Sequence, residues 1–141
     1  MSNFDFINQP FAFALARVIL GVLIFMQGYE KVFKIRMRAI VNAYELPINR
    51  SFIFDFFIWG GTIYTSYCEL ICGPLLFLGL FTNFALYLFS IDMVIAVMGM
   101  SLQEAMWDMK FVWSRLVLTI FLLLCPSVWN SISLDHFIFV K

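Results

Sequence analysis

Charged residues are scarce in this chain, and so is the polar surface that a protein needs in water. Only 13% of the 141 residues are Asp, Glu, Lys or Arg, whereas 63% are hydrophobic. A soluble domain is roughly 45–50% apolar and about 25% charged. This composition excludes an ordinary water-soluble domain. It predicts an integral membrane protein that contacts the lipid bilayer.

Residue patterns that would indicate several other functions are also missing. The net charge is zero, which leaves no basic surface for nucleic acid. The single histidine, His136, cannot form a haem pair or a closed metal site, so we expect no metal and no covalently bound cofactor. The three cysteines, Cys68, Cys72 and Cys125, form neither a C-x-x-C redox motif nor a secreted disulfide framework.

What the chain has instead is four long apolar segments, each close to the ~20 residues that cross a bilayer as a helix. They lie at about residues 11–30, 56–80, 84–101 and 111–130. Only a three-residue connection, which includes Thr82 and Asn83, separates the second segment from the third, so these two helices should be antiparallel neighbours. The sequence therefore predicts an all-α fold, a four-helix transmembrane bundle that forms a single domain over residues 1–141.

The connection between the first two segments has a different character. Apolar residues recur at helical spacing over about residues 32–46, with polar residues on the other side and Pro47 at the end. This pattern predicts an amphipathic helix on the membrane surface, and the alternative is a solvated charged loop. Four basic residues there would favour anionic lipid headgroups. They are Lys31, Lys34, Arg36 and Arg38.

The distribution of Lys and Arg also predicts an orientation. The first connection is rich in basic residues, the second has none, and the third contains Lys110. The positive-inside rule places the first and third connections in the cytoplasm and both termini outside. We expect a multi-pass protein of the bacterial cytoplasmic (inner) membrane with both termini in the periplasm.

Three ionisable residues lie inside the apolar segments: Arg17, Glu69 and Asp92. A charge at a helix centre in lipid costs about 2.5–3.5 kcal/mol, so such residues usually face a partner or a cavity. Each lies on a stripe of small or polar residues, and all three fall roughly 9–17 Å below the outer boundary at 1.5 Å per residue. We expect them to form one layer, with Arg17 paired to Glu69, Asp92 or both.

This charged layer has two interpretations. It is either a salt-bridge layer that only fixes the order of the helices, or a polar pocket open toward the outer leaflet. In a pocket, two carboxyl groups sharing one arginine would leave one of them able to carry a proton, as quinone chemistry requires. A proton or transport pathway is less well supported, because few polar residues continue the stripe. Arg115 is interpreted as an arginine that extends to the membrane interface.

The cysteines also allow two interpretations. Cys68 and Cys72 share a helix face, but a disulfide between positions i and i+4 has poor geometry. Cys72 and Cys125 could approach each other as a pair of redox thiols on the oxidising side. The alternative is that all three are small buried hydrophobic residues.

Several motifs, taken in order, resemble those of the DoxX family of four-helix membrane proteins. The first segment carries R-x3-G-x6-G-x2-K at residues 17–31, and a Leu-Pro pair at 46–47 precedes the second. E-x3-G follows at 69–73, and LGLFT at 78–82. PSVWNSISLD at 126–135 resembles the closing GPGRWSLD of the family, expanded by two residues and with Cys125 where the first glycine is expected.

The resemblance implies a membrane subunit associated with redox chemistry. Some members are the membrane partner in thiosulfate:quinone oxidoreductase, and others associate with enzymes of thiol stress or superoxide detoxification. We therefore expect a small subunit of a redox complex, with a quinone-facing or anchoring bundle and a protein partner. If it takes part in catalysis, it does so as a quinone-linked oxidoreductase subunit. The alternative is a non-catalytic structural subunit of a larger membrane assembly.

Overall fold

The computed structural model describes residues 3–43, 52–101 and 110–139, and over these residues the chain is helical with short connections. The long helices are α1 (Asn3–Tyr29), α3 (Phe52–Leu78), α4 (Thr82–Ser101) and α5 (Lys110–Leu124). The short ones are a π-helix (Glu30–Ile35), α2 (Met37–Ala43), a 3-10 helix (Ser127–Ser131) and α6 (Leu134–Phe139). The Leu-Pro pair at 46–47 lies outside the described residues.

The four long helices overlap the four apolar segments of the sequence, but α5 ends at Leu124, six residues before the predicted end of the fourth segment. Asn8–Ile35 and Thr82–Ser101 are long and apolar enough to cross a membrane, and Val112–Leu124 is a shorter apolar helix. Helix α3 has 27 residues, about 40 Å at 1.5 Å per residue. The predicted all-α class is confirmed, while the crossing of a membrane by all four helices stays a prediction.

Glycines determine how α1 packs against α3. A Cβ on Gly21 would lie 2.7 Å from the Phe77 backbone nitrogen, and one on Gly28 would lie 2.5 Å from that of Leu70. From the other side, a Cβ on Gly73 would lie 2.6 Å from the Cβ of Phe25. Small residues that let backbones approach this closely are typical of helix pairs in lipid. Contacts that run forward along α1 and backward along α3 make these helices antiparallel.

Apolar side chains occupy both the interior and the surface of the bundle. The core contains Leu20, Ile24, Leu76 and Phe89, all fully buried. Large hydrophobic residues are also exposed along every long helix. Examples are Leu15, Ile71, Tyr87, Val94 and Val117. So much exposed apolar surface is unfavourable in water, but it suits helices that are solvated by lipid.

The predicted amphipathic helix at 32–46 differs from the structure. The chain leaves α1 as a π-helix from Glu30 to Ile35, breaks at Arg36 with φ of 62°, and resumes as α2 from Met37 to Ala43. A π-helix has wider turns than an α-helix, so side chains beyond Tyr29 point in different directions from those of a continuous α-helix. Residues 44–46 of the predicted helix lie outside the described residues.

Candidate functional site

Arg17 lies near the turn between α3 and α4, at the end of the bundle that we call the turn end. Its side chain is 3% exposed, and Nη2 donates a hydrogen bond of 2.8 Å to the carbonyl oxygen of Ile132. The guanidinium rests against Gly79, where a Cβ would overlap it. Gly79 also has φ of +70°, a left-handed conformation that favours glycine. Both the space and the backbone therefore require glycine at this position.

Asp135 joins the C-terminal segment to the same turn. Its Oδ1 accepts a hydrogen bond of 2.7 Å from the Phe81 amide, and Oδ2 accepts one of 2.9 Å from the Thr82 amide. The Asp135 amide in turn donates to the Gly79 carbonyl at 3.0 Å. Because α4 begins at Thr82, the carboxylate caps the positive end of this helix. We call Arg17, Gly79, Ile132 and Asp135 the terminal clamp.

The terminal clamp corrects the predicted pairing of Arg17 with Glu69 or Asp92. Helical side chains tilt toward the N-terminus of their own helix. Since α1 and α3 are antiparallel, Arg17 points toward the turn end and Glu69 points away from it. The two α-carbons are also far apart, because Glu69 lies level with Gly28, eleven residues or about 16 Å along α1 from Arg17. Counting residues from the ends of the apolar segments does not reveal this offset. The single charged layer is therefore divided between two places.

Glu69 lies in a second polar group, toward the π-helix. It is 1% exposed, and its Oε1 accepts a hydrogen bond of 2.7 Å from Nζ of Lys31. Nη1 of Arg115 lies 3.9 Å from the same oxygen and is hydrogen-bonded to Oε1 of Gln27. We call Gln27, Lys31, Glu69 and Arg115 the Glu69 cluster. The other carboxylate oxygen, Oε2, is buried without a hydrogen-bond partner among the described residues.

Two members of the Glu69 cluster are mostly buried, although the sequence predicts both at the membrane surface. Lys31, grouped with the basic surface residues, is only 27% exposed and contacts Glu69 from the π-helix. Arg115, interpreted as reaching the interface, is 8% exposed. Helical spacing is the sequence signal that could have placed both residues inside the bundle. Lys31 continues the stripe of Arg17, Gly21 and Gly28, and Arg115 shares a buried face with Thr119, whose hydroxyl donates to the Arg115 carbonyl.

The other three basic residues lie at the surface. Lys34 is exposed and forms a salt bridge of 3.1 Å with Glu30, one helical turn earlier. Arg36 and Arg38 are also exposed. These positions are compatible with the predicted contact to anionic headgroups, which stays a prediction.

Asp92 lies on α4 and is completely buried. Neither carboxyl oxygen has a hydrogen-bond partner in the described part of the chain. Its electrostatic neighbours include Glu69, Cys68, Lys31 and Arg115, which places it beside the Glu69 cluster. Burial of a carboxyl group without a partner is costly, and more so when the group is ionised. Asp92 is therefore a second carboxyl group near Glu69, at a distance from Arg17.

The cysteines are all free thiols. Sγ of Cys68 and Sγ of Cys72 lie 3.7 Å apart, so the two share a face as predicted. Cys68 also lies 3.6 Å from the Leu88 carbonyl oxygen. The pairing of Cys72 with Cys125 as redox thiols stays a prediction. Among the described residues, no group of three or more His, Cys, Asp or Glu is arranged to hold a metal ion.

A cavity of about 1060 Å³ lies beside the Glu69 cluster, between α1, α3, α4 and α5. Gln27, Lys31, Glu69 and Arg115 form one polar corner of it, and most of the remaining wall is apolar. Binding sites for small molecules typically combine an apolar wall with a few polar groups, in volumes of roughly 300–1,000 Å³. The cavity is therefore large enough for a ligand of considerable size.

The helical fold, the apolar outer surface and the buried polar groups define a small helical membrane protein. Comparison with known proteins gives its family: a sequence model of the DoxX family matches residues 12–102, and the chain belongs to this family. The matched range includes Arg17, Lys31, Glu69 and Asp92, whereas the closing motif at 126–135 lies beyond it. No curated protein and no solved structure matches the chain.

Proposed function

We propose that this protein is a small membrane subunit of a redox-associated complex, and that the cavity beside the Glu69 cluster faces a quinone. The observation that carries the proposal is the cavity of about 1060 Å³, with a mostly apolar wall and a polar corner that contains the ion pair of Lys31 and Glu69. A quinone matches this arrangement, because it carries polar oxygens on its ring while the rest of the molecule is apolar. Membership of the DoxX family supports a redox association.

The polar corner suits both redox states of a quinone. Quinone carbonyl oxygens accept hydrogen bonds, which Lys31 and Arg115 can donate, and quinol hydroxyls donate them, which the carboxylate of Glu69 can accept. Reduction of a quinone to a quinol takes up two electrons and two protons. A partner subunit supplies the electrons from its own cofactor, and the carboxyl groups of Glu69 and Asp92 carry the protons.

The proposed topology has four membrane-crossing helices in the bacterial cytoplasmic membrane, with both termini in the periplasm. The Glu69 cluster and the cavity then lie in the cytoplasmic half, at the end where Lys34, Arg36 and Arg38 are exposed. The sequence had suggested a pocket toward the outer leaflet. The proposed cavity lies in the cytoplasmic half instead, because Lys31 and Arg115 contact Glu69 at the end of the bundle where the π-helix lies.

The experiment is a purification of the tagged protein in a gentle detergent, with partner proteins identified and quinone extracted from the same sample. We expect a redox enzyme and about one quinone per chain. The double variant Lys31→Met/Glu69→Met should keep the partner but lose the quinone, because hydrophobic residues of similar volume can replace a buried ion pair. Glu30→Gln, which alters only an exposed salt bridge, is the matched control.

A large complex without quinone, in both the wild type and the control, would contradict the proposal. It would support the alternative of a non-catalytic structural subunit. In that case the Glu69 cluster would serve only to hold α1, α3 and α5 together. A wild-type protein that remains monodisperse alone in detergent would instead contradict the structural alternative, since a structural subunit usually depends on its assembly.

A further inference from the structure

Two kinds of glycine occur along α3, and only one kind is explained by helix packing. Gly73 lies against α1 so closely that a Cβ would meet Phe25 at 2.6 Å. A Cβ on Gly60, by contrast, would meet no other described atom within 4 Å, and one on Gly61 would meet only Ile95, at 3.4 Å. Neither of these two adopts a positive φ. Glycine is unfavourable in a helix interior compared with alanine, so these two positions need another explanation.

The space that these glycines leave open belongs to the cavity beside the Glu69 cluster. Gly60 and Gly61 both line it, nine and eight positions before Glu69 on the same helix. At 1.5 Å per residue, the cavity therefore extends about 12–14 Å along α3. Its polar corner lies at one end of this length and the glycines lie toward the other. The cavity is longer than a ring-sized head group requires.

The polar corner of the cavity offers a hydrogen-bond donor that a ligand can reach. Lys31 lines the cavity, and its side chain is 27% exposed although it is paired with Glu69. An ammonium group has three donors, of which the bond to Glu69 uses one, so an oxygen of a ligand can accept another. The polar corner therefore selects a head group that bears oxygen.

We propose that the cleft over Gly60 and Gly61 holds the apolar chain of an amphiphilic ligand whose oxygen-bearing head group lies against Lys31 and Glu69. The inference rests on the cavity of the proposed function and specifies the chain of its ligand. A prenyl chain on a quinone and the acyl chain of a lipid share this chemistry. A chain that enters from lipid gains little from the hydrophobic effect, so the shape of the cleft determines its binding.

The test compares two quinones that share a head group, one with a ten-carbon chain and one with only a methyl group. Their dissociation constants are measured from the quenching of tryptophan fluorescence in the purified full-length protein. Gly60→Leu should weaken binding of the long-chain quinone at least tenfold and that of the short one less than threefold. Each ligand is compared with itself between proteins, so its partition into detergent cancels.

Two further variants keep the test independent of one substitution. Ala96→Leu narrows the cleft from α4 and should reproduce the selective loss if Gly60→Leu does not fold. Ile71→Phe adds volume to the exposed side of α3 and should change neither constant. If folded Gly60→Leu and Ala96→Leu proteins bound the long-chain quinone as the wild type does, the inference would be overturned while the proposed quinone function would stand.

A third ligand separates the two proposals. A spin-labelled sixteen-carbon fatty acid supplies the same chain with a carboxylate head, and its binding is followed by electron paramagnetic resonance. If the wild type binds this probe but neither quinone, and Gly60→Leu abolishes the binding, the chain cleft stands with a lipid occupant and the quinone function fails. If the wild type binds none of the three ligands, both proposals fail.

Discussion

The carboxylate of Asp135 should contribute more to stability than any other side chain of the C-terminal segment that the structure describes. It accepts hydrogen bonds from two backbone amides at the start of α4, at 2.7 and 2.9 Å. Hydrogen bonds to a charged group contribute about 1.5–3 kcal/mol each, and a single lost helix cap costs about 0.5–2 kcal/mol. The site is partly open to solvent, so we expect Asp135→Ala to lower the free energy of unfolding by about 2–3 kcal/mol.

A second substitution separates the contribution of the charge from that of the hydrogen bonds to this loss of stability. Asp135→Asn retains an oxygen acceptor for one amide but removes the negative charge beside Arg17. It should cost about 1–2 kcal/mol, between the wild type and the alanine variant. Removal of the guanidinium with Arg17→Met should cost less in the Asp135→Ala background than in the wild type, because the two residues act in one clamp.

Unfolding by sodium dodecyl sulfate, followed by circular dichroism in mixed micelles, measures these differences. Glu30→Ala is the control, because an exposed salt bridge usually contributes no more than about 1 kcal/mol. If Asp135→Ala unfolded within about 0.5 kcal/mol of the wild type, the C-terminal segment would not stabilise the turn, and the reasoning on the terminal clamp would be refuted.

Three further predictions concern positions in the clamp, the polar cluster and the helix contacts. Gly79→Ala should prevent accumulation of monodisperse protein, measured by size-exclusion chromatography, because a Cβ overlaps Arg17 and φ is +70°; normal yield would contradict the packing described. Glu69→Met should lower the free energy of unfolding by about 1–3 kcal/mol, and adding Lys31→Met should restore most of it, since the single change leaves a charge without its partner; equal stability of the single and double variants would contradict the ion pair. Gly28→Ala should destabilise by about 1–3 kcal/mol in the same unfolding assay, whereas Gly60→Ala should stabilise by about 0.5–1 kcal/mol, and equal effects would contradict the two kinds of glycine.

The helices themselves could be predicted from the sequence, because apolar length and spacing are set by the backbone geometry of a helix. The stripe through Arg17, Gly21, Gly28 and Lys31 was visible for the same reason. The stripe did not identify the residue with which each charged side chain pairs. Arg17 and Glu69 lie at different depths, because the close packing of α1 and α3 places Glu69 level with Gly28, and their side chains also tilt in opposite directions. The contact of Arg17 with Ile132 depends on a C-terminal segment without helical periodicity.

A polar pocket is one of the two interpretations that the sequence allows, but the extent of the cavity and its position beside Lys31 and Arg115 were beyond prediction from the sequence. A small residue in a membrane helix can lie at a close helix contact, as Gly73 does, or beside an open space, as Gly60 does. The sequence alone does not distinguish the two. The π-helix is a similar case. Residues 30–35 have the spacing of an ordinary amphipathic helix, and only the structure shows that they form a π-helix.

The terminal clamp has a consequence for the synthesis of the protein. The acceptor of Arg17, Ile132, follows it by 115 residues. At about 5–20 residues per second, the ribosome needs roughly 6–23 s to make that stretch. During this interval the first helix can enter the membrane while its buried arginine still lacks its final contacts. This contact joins the first helix to the C-terminal segment, so a nascent chain that stops before residue 132 cannot form it.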